Sequence, residues 1–211
     1  KKYLDVTSSW WVNLFGHNNK KIKEYIKKQL DELEHSMLAG LTHNPVIKLS
    51  EKLSKLTKLS HCSYGSDGSN AVEIALKMSV QFWHQTGLKD KNKFVYLENS
   101  YHGETLGSLS VTDIPLFRSQ YSSLMRPHIQ TLSPDLRLKK DNQSKEDFTN
   151  IKLKSLAKIF EKKHSKIASI IVEPMVQGAS GMAIYDSKYL VGVKDLCNKY
   201  KIHFIADEIA V

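Results

Sequence analysis

The residue most suggestive of chemistry in this sequence is Asp207, which follows the short apolar run 202–206. That run reads as a buried strand, and a carboxylate at the end of a buried strand is costly unless it has a partner. A cationic ring nitrogen would be a suitable partner, and a salt bridge or a helix cap is the simpler alternative. Glu173 ends the apolar run 167–172 in the same way, and for this residue the salt bridge or cap is the preferred interpretation.

A second candidate group consists of Gly68 and Ser69, in the segment YGSDGSNAVE (64–73). The glycines permit a tight turn, and a helix is predicted to begin at Gly68. Unpaired backbone N–H groups and the positive dipole end of a helix bind anions, and a serine hydroxyl adds a donor, so the segment could hold a phosphate. An ordinary serine N-cap after a glycine turn is the alternative. Neither the P-loop pattern nor G-x-G-x-x-G is present.

The segment SYHGET (100–105) places Tyr101 and His102 just past another predicted strand. The tyrosine ring could stack on a flat cofactor, and the histidine could act as a base. The alternatives are a packed tyrosine and a histidine that caps the next turn. The sequence lacks the H-E-x-x-H spacing of zinc proteases and the G-x-S-x-G motif of serine hydrolases, so both classes are disfavoured.

Together these groups describe a site for a phosphorylated aromatic cation. They supply a phosphate-binding site, an aromatic ring that could stack and a buried carboxylate, all at predicted strand ends. Pyridoxal phosphate is such a ligand. A carboxylate would keep its pyridine nitrogen protonated, so that the ring could draw electrons from the Cα of a substrate.

The elements that must position these groups alternate along the chain. Hydrophobic periodicity predicts helices over 20–38, 46–59, 68–83, 151–164 and 187–200, and strands over 93–99, 167–174 and 202–206. The polar stretch 133–150 is predicted to be a surface excursion. Alternating strands and helices indicate an α/β fold with a mainly parallel sheet covered on both faces. In such sheets ligands bind outside the carboxyl ends of the strands, which is where the candidate residues lie.

Composition narrows the classes of function. The 211 residues carry a net charge of +9, but most lysines lie on predicted helix faces, so nucleic-acid binding is not expected. The sequence contains no apolar stretch of the roughly 18 residues needed to span a membrane. Cys62 and Cys197 are far apart and form no metal-binding motif, which predicts a reducing, cytoplasmic setting and no metal site.

Six blocks in order resemble the class III (ω-type) aminotransferases, which belong to fold type I of the pyridoxal-phosphate enzymes. The blocks are SSWW (8–11), HSMLAGLTHNP (35–45), DGSNAVEIALKM (67–78), YHGETLGSLSV (101–111), VEPMVQGASGM (172–182) and IADEIA (205–210). The resemblance runs from end to end of the chain. It implies a three-layer large domain and pyridoxal 5'-phosphate as cofactor.

The resemblance also implies roles for the cofactor-binding residues. Gly68 and Ser69 would hold the phosphate, and Tyr101 would stack on the pyridine ring. Asp207 would pair with the ring nitrogen, and Ile209 would pack on the opposite face of the ring.

Trp10 and Trp11 would belong to the substrate pocket together with Tyr101, and the alternative for the pair is one core and one surface tryptophan. Compared with ornithine- and 4-aminobutyrate-type relatives, residues 172–179 have one extra residue and lack an acid near their end. These features favour a branch whose substrate is 8-amino-7-oxononanoate, made into 7,8-diaminononanoate in biotin biosynthesis. S-adenosylmethionine is the implied amino donor, and lysine is the alternative. Glu104 stands where that branch more often has aspartate.

Two further expectations concern the organisation of the chain. Residues 1–45 would form an N-terminal segment of the small domain and interface, and residues 46–211 part of the cofactor-binding large domain. Family members are homodimers with active sites between subunits. The family's Schiff-base lysine lies beyond the acid at Asp207, so the chain, which ends at Val211, is expected to be the front portion of an aminotransferase. A non-catalytic fragment is the alternative for this polypeptide alone.

Overall fold

The computed structural model describes residues 1–210, which form two compact units. The first unit comprises residues 1–63, and the second begins at Tyr64. The boundary predicted between residues 45 and 46 falls inside a helix, Asn44–Thr57, rather than between the two units. The assignment of residues 1–45 to a small domain and interface stays a prediction.

The first unit is helical. It contains a single turn, Ser8–Trp11 (α1), and two longer helices, Lys20–Glu32 (α2) and Asn44–Thr57 (α3). The side chain of Asn19 caps α2 by accepting from the N–H of Ile22 at 3.1 Å. The predicted helix 20–38 therefore exists, but it ends six residues early, because the chain becomes extended at Leu33.

The second unit is built on a parallel sheet. Its strands, and those of a separate antiparallel pair, are Lys93–Leu97 (β1), Ile129–Thr131 (β2), Ile167–Val172 (β3), Val176–Gln177 (β4), Ala183–Ile184 (β5) and His203–Ala206 (β6). The order in the main sheet is β2-β1-β3-β6, with all neighbours parallel, and β4 pairs with β5. The predicted parallel α/β sheet is confirmed.

Helices cover both faces of this sheet. They are Gly68–Gln85 (α4), Leu106–Ser110 (α5), Pro115–Arg118 (α6), Lys145–Lys163 (α7) and Ser187–Tyr200 (α8), with 3-10 turns over Ser119–Leu124, Leu136–Leu138 and His164–Lys166. Asp67, Ser144 and Asp186 cap the three long helices through side-chain oxygens that accept backbone N–H groups. Within residues 1–210 no helix is both long and apolar enough to cross a membrane.

Alternation along β1 divides the core into two layers. Phe94 and Tyr96 pack with residues of α4, whereas Val95 and Leu97 pack with residues of α7 and α8. The α4 layer includes Val72, Leu76, Trp83, Ala168 and Ile171, and the other layer includes Leu156, Phe160, Ile170, Tyr189 and Val193. Because both faces are covered, the central strands β1 and β3 are almost fully buried, as is typical of parallel sheets. The edge strand β6 was predicted to be buried but is only half-buried, and its last residue, Ala206, is exposed.

The predicted surface excursion 133–150 is wrong in two places. Ser133 and Asp135 are buried, and α7 begins at Lys145 rather than after residue 150. Arg137 compensates the buried carboxylate of Asp135, to which its Nε and terminal nitrogen donate at 3.0 and 2.8 Å. The prediction of exposure rested on the polar composition of the segment. Polar side chains can nevertheless be buried when they are hydrogen-bonded to one another.

One close approach fixes the loop after β1 against the start of α4. Gly103 has φ +111°, a conformation that residues with a side chain rarely adopt. A Cβ atom at this position would overlap Ser69 Oγ. The next residue, Glu104, donates its backbone N–H to that same oxygen at 2.9 Å. Only glycine therefore lets the loop lie this close to the helix.

We expect Gly103→Ala to lower the free energy of unfolding more than Gly87→Ala. Gly87 also has positive φ, +85°, but nothing lies within 4 Å of a Cβ there, so this control carries only the backbone cost of about 1–2 kcal/mol. Gly103→Ala adds steric overlap, which costs roughly 1–3 kcal/mol more. Urea denaturation followed by circular dichroism measures both. Equal losses for the two variants would contradict the close approach.

Candidate active site

Three strand-end segments meet at the carboxyl edge of the parallel sheet. Tyr101 and His102 follow β1, Glu173 follows β3, and Asp207 follows β6. The strand β3 lies between β1 and β6, and neighbouring strands are about 4.8 Å apart. The segment after β1 must therefore fold over the end of β3 to reach Asp207. The backbone N–H of Asp207 donates to the Val172 carbonyl at 2.9 Å, which ties β6 to β3 at this edge.

The carboxylate of Asp207 is paired with an imidazole. Its Oδ2 lies 2.8 Å from Nδ1 of His102, whose side chain is fully buried, while the Asp207 side chain keeps 10% exposure. Within residues 1–210, its second oxygen, Oδ1, has a single long contact, 3.4 Å, with the N–H of Ile209. One oxygen of the carboxylate can thus accept from a cationic ligand while the other stays oriented by His102.

His102 is itself held firmly in place. Its backbone N–H donates to the hydroxyl of Thr112 at 2.9 Å. Its Nε2 is buried and has no hydrogen-bond partner within residues 1–210. Its ring therefore contacts Asp207 and caps no turn, so the capping interpretation is wrong. A role as a base stays a prediction.

Tyr101 is anchored at both ends. Its hydroxyl donates to Oε1 of Glu104 at 2.9 Å, and its backbone N–H donates to Oε1 of Glu173 at 2.9 Å. Burial raises the pKa of Tyr101 to about 12, and the hydrogen bond and charge of Glu104 act in the same direction. The phenol therefore stays protonated at neutral pH. The ring also makes an edge contact with Phe117, with centroids 5.3 Å apart.

Glu173 does not form the salt bridge or helix cap that its position in the sequence predicts. Among residues 1–210 no lysine or arginine forms an ion pair with it. Its two oxygens instead accept the backbone N–H groups of Tyr101 and Gly178, the latter at 2.8 Å. Burial raises the pKa of Glu173, and the two amide donors oppose that rise. The carboxylate acts as a double acceptor for two loops.

The start of α4 offers backbone N–H groups that could bind an anion, and the residue that caps this helix is not the serine that the alternative interpretation expected. Asp67, not Ser69, is the N-cap of this helix. The N–H groups of Gly68 and Ser69 belong to the first turn and so have no acceptor within the helix. The Ser69 hydroxyl oxygen accepts from the N–H groups of Glu104 and Thr105, at 2.9 and 3.3 Å. It therefore joins the helix to the loop after β1.

Ile209 lies beside this helix start. A Cβ atom on Gly68 would be 3.5 Å from Ile209 Cδ1, so the two residues are neighbours, although the Ile209 side chain is mostly exposed. The positions of Gly68, Ser69, Tyr101, Asp207 and Ile209 fit a phosphorylated aromatic cation: amide donors, an aromatic ring, an aliphatic side chain and a carboxylate with one available oxygen. Their roles as cofactor ligands stay predictions.

Trp10 and Trp11 lie in the first unit, in α1. Both have positive φ, 65° and 70°, and their rings are 6.0 Å apart. The side chains are exposed by 77% and 47%, so neither is the core tryptophan that the alternative interpretation expected. Their place in a substrate pocket stays a prediction.

The sequence analysis missed a polar network behind these loops. The hydroxyl of Ser133 donates to Oε1 of Gln177, whose Nε2 donates to the Glu98 carbonyl at 2.8 Å. This network holds the segment after β3 against the end of β1. The only signal for it in the sequence is the position of Gln177 after an apolar strand.

Comparison with known proteins identifies the family of this chain. The model of the family described as aminotransferase class-III matches residues 1–211. A Helicobacter pylori protein named adenosylmethionine-8-amino-7-oxononanoate aminotransferase is 43% identical over 212 residues, 99% of this chain and 46% of that protein.

Solved structures agree with this match. The Methanocaldococcus jannaschii protein of the same name is 34% identical, with a TM-score of 0.88 over 99% of this chain and 45% of that chain. A PLP-bound amine transaminase from an uncultivated Pseudomonas species is 32% identical, with a TM-score of 0.83 over 92% of this chain and 45% of that chain. The chain spans about half the length of the curated relatives it matches. By its sequence and its fold, this chain belongs to the class III aminotransferases.

Proposed function

We propose that the protein to which this chain belongs uses pyridoxal phosphate to convert 8-amino-7-oxononanoate into 7,8-diaminononanoate, a step of biotin biosynthesis. The observation that carries the cofactor assignment is the Asp207 carboxylate, oriented by His102 at the end of β6. The substrate assignment is supported by the names of the bacterial and archaeal relatives, which also indicate S-adenosylmethionine as the amino donor. The proposal concerns the whole protein, which we infer to be a cytoplasmic homodimer.

When bound, pyridoxal phosphate supplies a cationic ring that withdraws electrons from the substrate Cα. The residues of this chain would hold and polarise it. The amide groups of Gly68 and Ser69 would bind the phosphate at the positive end of α4. Asp207 would keep the proton on the ring nitrogen, because its charge favours the cationic form at close range.

Tyr101 and Ile209 would enclose the two faces of the ring and exclude water. Excluding water lowers the local dielectric constant, so the charge of Asp207 acts more strongly. His102 would fix the orientation of that carboxylate, since its Nδ1 contacts Oδ2 and leaves Oδ1 for the ligand. Trp10 and Trp11 would supply a flat apolar wall for the aliphatic substrate.

Substrate choice can be tested directly, because class III enzymes with other substrates share this fold. Full-length protein is expected to turn over 8-amino-7-oxononanoate with S-adenosylmethionine or lysine as donor. It is expected to show no turnover of ornithine or 4-aminobutyrate. The reverse pattern in this substrate panel, measured by product formation, would replace the proposal with another class III activity.

We expect Asp207→Asn in the full-length protein to lower turnover by several orders of magnitude while the fold survives. The change keeps the shape of the side chain but removes the charge that holds the proton on the ring nitrogen. Turnover and the absorbance of bound coenzyme measure the effect, and far-ultraviolet circular dichroism checks folding. Asp141→Asn, at an exposed position, is the matched control. Near-normal turnover of Asp207→Asn would refute the role.

We expect a milder effect from Tyr101→Phe. The ring is retained, and only the hydrogen bond from the hydroxyl to Glu104 is lost. Loss of one such bond corresponds to a decrease of about 2- to 12-fold in kcat/KM. Steady-state kinetics measures this decrease. Complete loss of activity in a variant that still binds coenzyme would mean that the hydroxyl itself takes part in the chemistry.

A further inference from the structure

Glu173 has a position that its sequence context does not explain. Its side chain is only 4% exposed, yet it carries a carboxylate without a lysine or arginine partner among residues 1–210. The backbone N–H of Tyr101, 72 residues away in sequence, donates to Oε1 at 2.9 Å. The backbone N–H of Gly178 donates to Oε2 at 2.8 Å. One buried side chain thus joins two separate loops.

We propose that Glu173 is a positioning residue that holds the loop of Tyr101 and the loop of Gly178 in register around the candidate coenzyme site. This inference rests on the proposed function, because the two loops need a fixed relative position only if a coenzyme binds between them and Asp207. Glu173 does not need to touch the coenzyme or the substrate. It acts through the backbone of Tyr101 on one side and the backbone of Gly178 on the other.

The chemistry of the two contacts requires a carboxylate. A backbone N–H can only donate, so each loop needs an acceptor. A carboxylate offers two acceptor oxygens, whereas the amide of glutamine offers one oxygen and one NH₂ group. In Glu173→Gln one loop therefore keeps its acceptor, and the other faces a second donor. A buried N–H left without an acceptor is destabilising, so that loop would move.

The main chain of Glu173 is anchored as well. The buried hydroxyl of Tyr185, just after β5, donates to the Glu173 carbonyl. The residue is therefore fixed at its backbone and at both side-chain oxygens. It cannot follow either loop if that loop shifts.

Each of the two loops has a second attachment on its far side. The phenol of Tyr101 is bound to Glu104, so Glu173 and Glu104 together determine where the ring lies. Beyond Gly178, Arg137 donates to the carbonyls of Ser180 and Gly181, at 2.8 and 3.1 Å. Gln177 joins the same two segments farther back, through the Glu98 carbonyl, and Glu173 is the side chain that contacts the backbone of Tyr101 and of Gly178 directly.

Hydrogen exchange tests this role without the coenzyme. In full-length Glu173→Gln we expect the amide of Tyr101 or that of Gly178, and not both, to exchange at least about tenfold faster than in the unmodified protein. Glu161→Gln, at an exposed position on α7, is the matched control and is expected to change neither amide. Unchanged exchange at both amides in Glu173→Gln would overturn the proposal.

Coenzyme spectroscopy tests the purpose of the alignment. We expect Glu173→Gln to weaken pyridoxal-phosphate binding by about 5- to 100-fold and to change the visible circular dichroism of the bound coenzyme. In the double variant Glu173→Gln/Tyr101→Ala we expect a loss of coenzyme affinity smaller than the sum of the losses in the two single variants, because Glu173 acts through Tyr101. Wild-type affinity and spectrum in Glu173→Gln would overturn the inference alone. If the unmodified protein bound no coenzyme, or bound it no more tightly than Asp207→Asn does, the proposed function would fail instead.

A second variant covers the case in which Glu173→Gln does not fold. Tyr185→Phe keeps the carboxylate and removes only the hydroxyl that holds the Glu173 main chain. We expect a smaller change of the same sign in the coenzyme spectrum, with the far-ultraviolet spectrum preserved. An unchanged coenzyme spectrum in this folded variant would also count against the proposal.

Discussion

The hydrogen bond between the side chains of His102 and Asp207 is the interaction on which the strand-end site depends. It connects the loop after β1 to the end of β6 across the intervening strand β3. A carboxylate with so little exposure would be costly without a partner, and the imidazole offsets that cost at one oxygen only. The second oxygen keeps its capacity to accept, which is what a carboxylate needs in order to stabilise a cationic ligand.

Glu173 and Asp207 illustrate how environment separates two residues of similar chemistry. They follow adjacent parallel strands at the same edge of the sheet. The oxygens of Glu173 are both occupied by backbone amides, so this carboxylate organises the protein. Asp207 has a side-chain partner at one oxygen and a long contact at the other, so this carboxylate can serve a ligand. Burial is common to both, and the number of donors that reach each group distinguishes them.

The loop after β1 carries several of these contacts because the sheet is parallel. All its strands point their carboxyl ends to one edge, so residues distant in sequence converge there. The loop is held at Gly103 against Ser69, at Tyr101 by Glu173, and at His102 by Asp207. These attachments come from α4, β3 and β6, so the position of the aromatic ring depends on the packing of the whole second unit.

The sequence by itself determined the parallel α/β class, the three long helices and the strands β1, β3 and β6 of the second unit, and the edge at which candidate residues collect. It did not indicate the short elements β2, β4, β5, α5 and α6. These features follow from hydrophobic periodicity, which acts within a few residues. The tertiary structure alone decided that His102 pairs with Asp207, 105 residues away, and that Glu173 binds amides rather than a cation. It also decided that Ser133 and Asp135 are buried and that Ser69 joins a loop instead of capping its helix. The physical reason is that the energy of a buried polar group depends on the donors and acceptors that folding brings to it, and local patterns of sequence do not specify them.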